Sequence, residues 1–206
     1  MAAIGITGGI ATGKSTVTQL LFDRLRDRLP VAAFSADVEA RRLTEADFVV
    51  QEEIRSAFGD AVFDSNRKLV REKLRALVFG DVAARKTLEG ILHPRIREAW
   101  VNRLSGQDLL LAEIPLLYET KAEKHFDSII VTACSRKSQI QRLTTGRSLP
   151  LEIAARIIDA QMPLEEKMHR ADWVVWTDCP PPITALQIDR IISELNKRYG
   201  GAAAAS

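Results

Sequence analysis

Eight residues near the amino terminus constrain this chain more than any other segment. Gly8-Gly-Ile-Ala-Thr-Gly-Lys-Ser15 matches the pattern G-x-x-x-x-G-K-S/T in full. The glycines let the backbone wrap a phosphate with its N–H groups pointing inward, and a following helix presents its positive N-terminal end. An apolar stretch at 2–7 precedes the motif and an amphipathic stretch at 15–28 follows it, in the order that a P-loop requires. The motif therefore predicts a site for nucleotide phosphates, with a chance glycine-rich turn as the alternative.

The P-loop assigns separate roles to its residues. Lys14 is predicted to reach the β- and γ-phosphates of ATP, where it acts in catalysis, and the Ser15 hydroxyl is predicted to ligate Mg²⁺. The nucleotide is expected to be bound by the loop and the first turn of the helix, at Gly9, Ile10, Ala11, Thr12, Gly13, Lys14, Ser15 and Thr16.

Short apolar runs alternate with longer helical patterns along the chain, which predicts an α/β fold with a parallel sheet. Five strands are predicted, at 2–7, 31–35, 109–112, 128–132 and 173–176. Two helical stretches break the alternation, one at 44–105 and one at 135–171, the latter with a turn from Gly146 to Pro150. We predict one three-layer αβα P-loop NTPase domain over 1–206, with a five-stranded parallel sheet, a helical substrate-side insertion at 44–105 and a helical lid at 135–171.

The composition excludes several classes of protein. Lys and Arg number 29 against 27 Asp and Glu, a net charge of +2, which is too balanced for a dedicated nucleic-acid binder. No basic residue precedes the first apolar stretch, so neither a signal peptide nor a membrane span is expected there. The two cysteines lack CxxC spacing and are expected to be thiols in a reducing compartment. We expect a cytoplasmic protein, monomeric or weakly oligomeric, without nucleic-acid or membrane partners.

A P-loop alone does not separate kinases from GTPases, motors and nucleotide sensors. The chain contains no guanine-reading N-K-x-D sequence, and it is short for a motor. A kinase needs an acid near the end of the second strand, a subdomain for the acceptor and a lid that carries arginine. All three have candidates here.

Two acids follow predicted strands. Asp37 comes just after the strand at 31–35, where it could orient an acceptor hydroxyl, take its proton or hold Mg²⁺ through water. The alternative for Asp37 is a helix N-cap. Glu113 directly follows the strand at 109–112, at a position where a metal-assisting acid usually lies. The alternative is that Glu113 merely caps the end of the strand.

Basic residues are the third group. Phosphoryl transfer develops charge on the equatorial oxygens, which a mobile arginine in a lid can stabilise. We expect one or two of five lid residues to contact phosphate: Arg136, Lys137, Arg142, Arg147 and Arg156. The basic run from Arg67 to Arg75 has the apolar spacing of an ordinary amphipathic helix, and within it Arg71 is a candidate for binding a small anionic substrate.

Several further segments are typical of one enzyme family. The most specific are Leu88-Glu-Gly-Ile-Leu-His-Pro94 and Ile114-Pro-Leu-Leu-Tyr-Glu119. With the P-loop and five other short segments, they resemble the dephospho-CoA kinase family in order from the first strand to about residue 173. The five are Ser35-Ala-Asp37, Ala40-Arg-Arg-Leu43, Phe58-Gly59, Gln139-Ile-Gln-Arg142 and Gln161-Met-Pro-Leu-Glu-Glu-Lys167.

The resemblance implies that ATP phosphorylates the 3′-hydroxyl of the ribose of dephospho-CoA. It makes Asp37 the acid beside that hydroxyl, Arg142 a catalytic lid arginine and 44–105 the CoA-side subdomain. His93 would help to shape the acceptor site, whereas its spacing alone suggests a helix-end residue that bonds backbone. The rival interpretations are a nucleoside or nucleotide kinase and a nucleotide-binding regulator, and the two most specific segments argue against both.

The chain departs from the family pattern at three places. Glu113 stands where the family usually has Asp. Gly146 occupies the usual place of a second lid arginine, so that Arg142 and Arg147 both stay open as the residue that contacts ATP. After the last strand, Trp176-Thr-Asp-Cys179 replaces the usual Asp-Asn, which leaves the contacts to adenine open.

Overall fold

The protein is described here from a computed structural model that covers residues 1–199, apart from the side chains of residues 79 and 80. The strands are β1 (Ala2–Gly8), β2 (Val31–Ser35), β3 (Leu109–Glu113), β4 (Ser128–Ala133) and β5 (Trp173–Trp176). Within the described residues they form one five-stranded parallel sheet in the order β2-β3-β1-β4-β5. The α/β fold with a five-stranded parallel sheet is therefore confirmed.

The three central strands are completely buried. Every residue of β1, β3 and β4 is buried, as expected where helices cover both faces of a parallel sheet. Helices α1 (Lys14–Leu25) and α9 (Pro181–Tyr199) share one apolar cluster with the sheet. A fully buried Leu or Ile contributes about 1.5–3 kcal/mol, so the strands that carry the P-loop are firmly held.

The strand register aligns the ends of three strands at one edge of the sheet. Gly8, the last residue of β1, is opposite Thr132 on β4, and Ile6 is opposite Glu113, the last residue of β3. Because parallel strands end at the same edge, the loops that follow them meet there. Strands β1, β3 and β4 each extend one residue beyond the predicted end, and these extra residues are Gly8, Glu113 and Ala133.

Three helices occupy the stretch for which a lid is predicted: α6 (Arg136–Gly146), α7 (Leu151–Asp159) and α8 (Leu164–His169). Ser135 caps α6, because its side chain accepts a hydrogen bond from the N–H of Ser138. Arg136 and Asp159 join α6 to α7 through two hydrogen bonds of 2.6 and 3.0 Å. These two bonds hold α6 against α7. The role of 135–171 as a lid stays a prediction.

The chain folds into two compact units. One comprises Met1–Phe34 and the chain from Arg103 onwards, and the other comprises Ser35–Asn102. The second unit contains α2 (Ala36–Ala46), α3 (Phe48–Phe58), α4 (Arg71–Gly80) and most of α5 (Val82–Leu104). Its own apolar cluster is built from Leu43, Val50, Ile54, Val62, Phe63, Leu74 and Leu92. The helical insertion predicted at 44–105 thus lies largely in the second unit. That unit begins earlier than predicted, at Ser35, the last residue of β2.

The basic run in this second unit is only partly helical. Helix α4 begins at Arg71, and Arg67 has a φ of +62°. Asp64 causes the difference, because its Oδ1 accepts hydrogen bonds from the N–H groups of Asn66 and Lys68 and so forms a turn. The prediction of a helix from Arg67 to Arg75 is therefore wrong for its first four residues. Among the described helices, none combines the length and apolar character that a membrane span needs.

Candidate active site

The P-loop turns through two residues with positive φ angles. Gly13 has a φ of +84°, and Ala11 has a φ of +60°, a conformation that costs about 1–2 kcal/mol for a residue with a side chain. Gly8 is required for another reason, since a Cβ atom there would lie 2.2 Å from the carbonyl oxygen of Thr132. The loop is therefore closely packed on β4 at its start and turns sharply before α1.

The amino terminus of α1 is available to an anion. Gly13 occupies the N-cap position without a side-chain hydrogen bond, and the first turn contains no acidic residue. The first turn of a helix presents backbone N–H groups to an anion, and the helix dipole favours negative charge there. Lys14 bends back over the loop, with Nζ donating to the carbonyl oxygen of Gly9 at 2.9 Å and to that of Gly8 at 3.4 Å. The loop thus presents a positive, donor-rich concavity.

Ser15 and Glu113 form an oxygen pair beside the P-loop. The Ser15 hydroxyl donates to Oε1 of Glu113 at 2.8 Å, and Glu113 is buried at the end of β3. Hydroxyl and carboxylate oxygens are the ligands that Mg²⁺ prefers. No group of three or more His, Cys, Asp or Glu side chains able to hold a metal occurs within residues 1–199. Because Mg²⁺ in kinase sites uses few protein ligands together with phosphate and water, the pair fits this ion.

Buried threonines fix the P-loop to the neighbouring strand β4. The hydroxyls of Thr12 and Thr132 lie 2.7 Å apart, and Thr12 also donates to the carbonyl oxygen of Gly9 at 2.8 Å. Thr132 donates to the carbonyl oxygen of Thr7 at 3.3 Å. Since the three side chains are fully buried, these bonds satisfy polar groups that water cannot reach and fix the loop to β4.

Two glutamines from outside the P-loop bind its backbone at Ile10. Gln139 Nε2, on α6, donates to the carbonyl oxygen of Ile10 at 2.8 Å, and the N–H of Ile10 donates to Oε1 of Gln161 at 2.7 Å. The sequence assigned no function to either glutamine, although both belong to segments that resemble the family. That membership was the only signal that could have identified them.

Arg142 also holds the P-loop. Its Nη1 donates to the carbonyl oxygen of Ala11 at 2.9 Å and to Oγ1 of Thr177 at 3.0 Å, while Nη2 donates to the carbonyl oxygen of Thr177 at 2.8 Å. Asp178 lies 3.7 Å from the same guanidinium. Arg142 thus connects α6, the P-loop and the segment after β5, and its predicted catalytic contact with phosphate stays a prediction. Arg147, the other candidate, is exposed at the end of α6.

Two ionisable groups near this connection have shifted pKa values. Burial alone would raise the pKa of Asp178, but hydrogen bonds from Ser135 and Ser138 and the charge of Arg142 outweigh it and lower the pKa. Asp178 therefore stays ionised and accepts the N–H of Ser135 at 2.7 Å. Burial raises the pKa of the Cys134 thiol, so Cys134 is not an activated nucleophile.

An ion pair between a buried lysine and an exposed glutamate joins two family-like segments. Lys167 is fully buried, and its Nζ lies 2.7 Å from Oε1 of Glu119 and donates to the carbonyl oxygen of Pro115 at 3.2 Å. The same Glu119 oxygen accepts the N–H of Met162 at 3.0 Å. The pair therefore ties the segment at 161–167 to the segment at 114–119.

A cavity of about 500 Å³ opens beside the P-loop, within the first compact unit. Gly9, Gln139 and Gln161 form one part of its wall, and the rest combines apolar side chains such as Met162 and Met168 with the charged Arg136, Asp159 and Glu165. The cavity thus adjoins the P-loop at Gly9 and at the two glutamines that bind Ile10.

Three predicted substrate residues lie in the second unit. Asp37 is exposed in the first turn of α2, and Ser35 is the N-cap of that helix, so the alternative of Asp37 as an N-cap is wrong. Arg71 begins α4 and lies 3.4 Å from Glu45. His93 is exposed within α5, before Pro94 in the same helix, so its interpretation as a helix-end residue is also wrong. The predicted substrate contacts of all three stay predictions.

Comparison with known proteins gives a consistent result. The family model described as "Dephospho-CoA kinase" matches residues 2–179. A dephospho-CoA kinase from Bacillus cereus is 35% identical over 94% of this chain and 96% of its own, and one from Anaeromyxobacter dehalogenans is 39% identical over 97% and 95%. The crystal structure of TT1252 from Thermus thermophilus has a TM-score of 0.81 at 32% identity, covering 94% of this chain and 97% of that one.

Proposed function

The chain belongs to the dephospho-CoA kinase family, and we propose that its P-loop, Glu113 and Asp37 carry out the family reaction. That reaction transfers the γ-phosphate of ATP to the 3′-hydroxyl of the ribose of dephospho-CoA and yields CoA and ADP. The rival acceptors and the regulator hypothesis are set aside, because relatives that match nearly the whole chain are dephospho-CoA kinases. The observation that carries the proposed roles is the complete P-loop, with Lys14 and the Ser15–Glu113 pair at one edge of the sheet.

The P-loop binds and orients ATP in this proposal. Backbone N–H groups of residues 9–16 donate to the phosphates, and the positive end of α1 stabilises their charge. Lys14 exchanges its contact with the carbonyl oxygen of Gly9 for phosphate oxygens, because an anion is a stronger partner for an ammonium group than a neutral carbonyl. The positioned donors then stabilise charge that develops on the transferring group.

Ser15 and Glu113 would hold Mg²⁺, Ser15 directly and Glu113 through its hydrogen bond or a bound water. When bound, Mg²⁺ supplies positive charge that neutralises the phosphates. Glu113 is the longer homologue of the usual Asp, and its contact with Ser15 supports the interpretation that it orients the metal ligand. An acid that only caps a strand end would not need this contact.

Asp37 has the proposed role of the acid that orients the acceptor hydroxyl and takes its proton. Its carboxylate is exposed in the first turn of α2. In the same proposal, Arg71 and His93 contribute to a CoA-side subdomain at 44–105. The lid predicted at 135–171 closes through its part between Gln139 and Gln161, which bind the P-loop, and Arg142 or Arg147 reaches ATP.

The experiment that tests the role of Asp37 measures ADP release and ATP binding separately. Asp37→Asn is expected to lower kcat by about 100-fold or more, because it removes a positioned general base, while calorimetric ATP affinity stays unchanged. Glu72→Gln, which alters an exposed acid in the first turn of α4, serves as the control. Full kcat in Asp37→Asn would refute the proposed role and leave the P-loop assignment standing.

Finally, we propose a cytoplasmic enzyme, monomeric or weakly oligomeric, whose partners are ATP and dephospho-CoA and include neither nucleic acid nor membrane. The near-balanced charge and the two unpaired cysteines support this proposal. Light scattering at micromolar concentration tests the oligomeric state. A stable higher oligomer that persists on dilution would contradict it.

A further inference from the structure

The backbone at Ile10 is held from both sides by side chains. The N–H of Ile10 donates to Gln161 at 2.7 Å, and its carbonyl oxygen accepts from Gln139 at 2.8 Å. Because these groups belong to the two successive peptide units that flank the Ile10 Cα, the pair of hydrogen bonds fixes the orientation of both. Arg142 adds a third contact one residue later, at the carbonyl oxygen of Ala11.

This part of the P-loop needs outside support. Ala11 adopts a φ of +60°, which is unfavourable for a residue with a Cβ atom. A strained backbone persists only where the surroundings hold it. The threonine contacts below the loop reach Gly9 and Thr12, and the two glutamines supply the contacts at Ile10.

Both glutamines are themselves fixed. Gln139 is buried on α6, with 3% of its surface exposed. Gln161 precedes Met162, whose N–H is bound by Glu119, and Glu119 is paired with the fully buried Lys167. This matters because a side chain can hold the loop in one conformation only if its own position is fixed.

We propose that Gln139 and Gln161 are positioning residues that preform the P-loop at Ile10 for the phosphates of ATP. They act through the loop backbone, and their role rests on the ATP-dependent activity described above. When the loop is preformed, less of the binding free energy of ATP is lost in ordering it. Loss of either hydrogen bond therefore weakens ATP binding and leaves binding of the acceptor unchanged.

The first test removes the hydrogen bonds with side chains of similar length. In Gln139→Met and in Gln161→Met, the KM for ATP is expected to rise roughly 3- to 10-fold, as the loss of one hydrogen bond predicts. The KM for dephospho-CoA is expected to stay within a factor of two. Gln141→Met, an exposed glutamine on the same helix, is the control and should match the wild type.

The second test uses the opposite directions of the two hydrogen bonds. Gln161 accepts, so Gln161→Glu keeps an acceptor for the N–H of Ile10, whereas Gln139 donates, so Gln139→Glu places a carboxylate against a carbonyl oxygen. Both variants add one negative charge near the loop and differ in whether the hydrogen bond can form. Gln139→Glu is expected to raise the KM for ATP several-fold more than Gln161→Glu.

Three results would overturn the proposal: equal effects of the two Glu variants, an unchanged KM for ATP in both Met variants, or parallel increases of the KM for both substrates. If the buried Gln139 variants fail to fold, the comparison of Gln161→Met with Gln161→Glu decides, because only the latter can rescue ATP binding. Wild-type turnover is measured in the same series, so failure of the proposed activity is distinguishable from failure of this proposal.

Discussion

The Ser15 hydroxyl donates a hydrogen bond of 2.8 Å to Oε1 of Glu113, which connects the residue after the P-loop lysine with the last residue of β3. The register of the sheet makes this contact possible, since Ile6 on β1 is opposite Glu113. Glu113 is buried, so its carboxylate needs a hydrogen-bond donor or a cation. The pair therefore has the chemistry that the proposed Mg²⁺ site requires.

Glu113→Gln is predicted to weaken the binding of Mg²⁺ at the Ser15–Glu113 pair. The amide can still accept from Ser15 but lacks the charge that attracts a cation, and changes at groups that orient a metal ligand typically cost about 10- to 100-fold in affinity or activity. Steady-state assays over a range of free Mg²⁺ should show a higher concentration for half-maximal rate. Glu113→Asp should retain more activity than Glu113→Gln, and Glu152→Gln, on an exposed residue of α7, should change nothing.

Lys167→Met is predicted to destabilise the fold. It removes the buried ammonium group, which leaves the exposed Glu119 without its cation and the carbonyl oxygen of Pro115 without its hydrogen bond, and the expected cost is about 1–3 kcal/mol. Urea unfolding followed by circular dichroism measures the loss. The exposed control Lys124→Met should change the free energy of unfolding by less than about 0.5 kcal/mol. Equal stability of Lys167→Met and wild type would contradict the assignment of a structural ion pair.

Tyr118→Phe is predicted to stabilise the protein. Tyr118 is buried, and its hydroxyl has no hydrogen-bond partner within the described part of the chain. Removing a buried unpaired hydroxyl is expected to raise the free energy of unfolding by about 1 kcal/mol. Tyr199→Phe provides the contrast, because the Tyr199 hydroxyl lies 2.9 Å from Oγ of Ser128 and its removal should destabilise. A stability loss in Tyr118→Phe at neutral pH would sink this prediction.

The same tyrosine predicts a pH dependence. Burial raises the pKa of Tyr118 from 10.0 to about 12, against a smaller opposing effect of the Arg170 charge. Between pH 10 and 12 the unfolded chain has therefore released a proton that the folded chain retains, so stability falls as pH rises through this window. The free energy of unfolding of the wild type should therefore fall more between pH 9 and pH 11 than that of Tyr118→Phe.

The local parts of this architecture could be predicted from the sequence. The P-loop and the β1–α1 unit occupy one continuous stretch from Ala2 to Leu25, and the central strands are short apolar runs. The turn at Asp64 was missed, because one side chain that binds two nearby backbone N–H groups overrides the helical pattern of the basic run.

The supports of the P-loop could not be predicted in the same way. Gln139 and Gln161 reach Ile10 across 129 and 151 residues of chain, and Lys167 reaches Pro115 across 52. A pattern of spacing carries no information on such contacts, since they depend on the order of strands in the sheet. The resemblance to a family marked the segments as important without indicating which backbone groups they bind.

Substitutions of Arg142 and of Arg147 are predicted to have different effects on stability. Arg142→Ala removes the hydrogen bonds to Ala11 and Thr177 and should lower both the Tm and the affinity for ATP, with a stability cost of about 1–2 kcal/mol. Arg147→Ala removes an exposed side chain and should leave the Tm unchanged. Thermal unfolding and kcat are measured on both variants. Unchanged stability together with reduced kcat in Arg142→Ala would instead favour direct action of Arg142 on phosphate.

The most direct test of the account measures ADP release from ATP and Mg²⁺ by the wild-type protein, with dephospho-CoA and a panel of nucleosides as acceptors. Phosphorus NMR of the product locates the new phosphate. The account predicts turnover with dephospho-CoA far above that with any nucleoside, and a phosphate on the 3′-oxygen of the ribose. ATP binding without ADP release from dephospho-CoA, or faster turnover with a nucleoside, would contradict it.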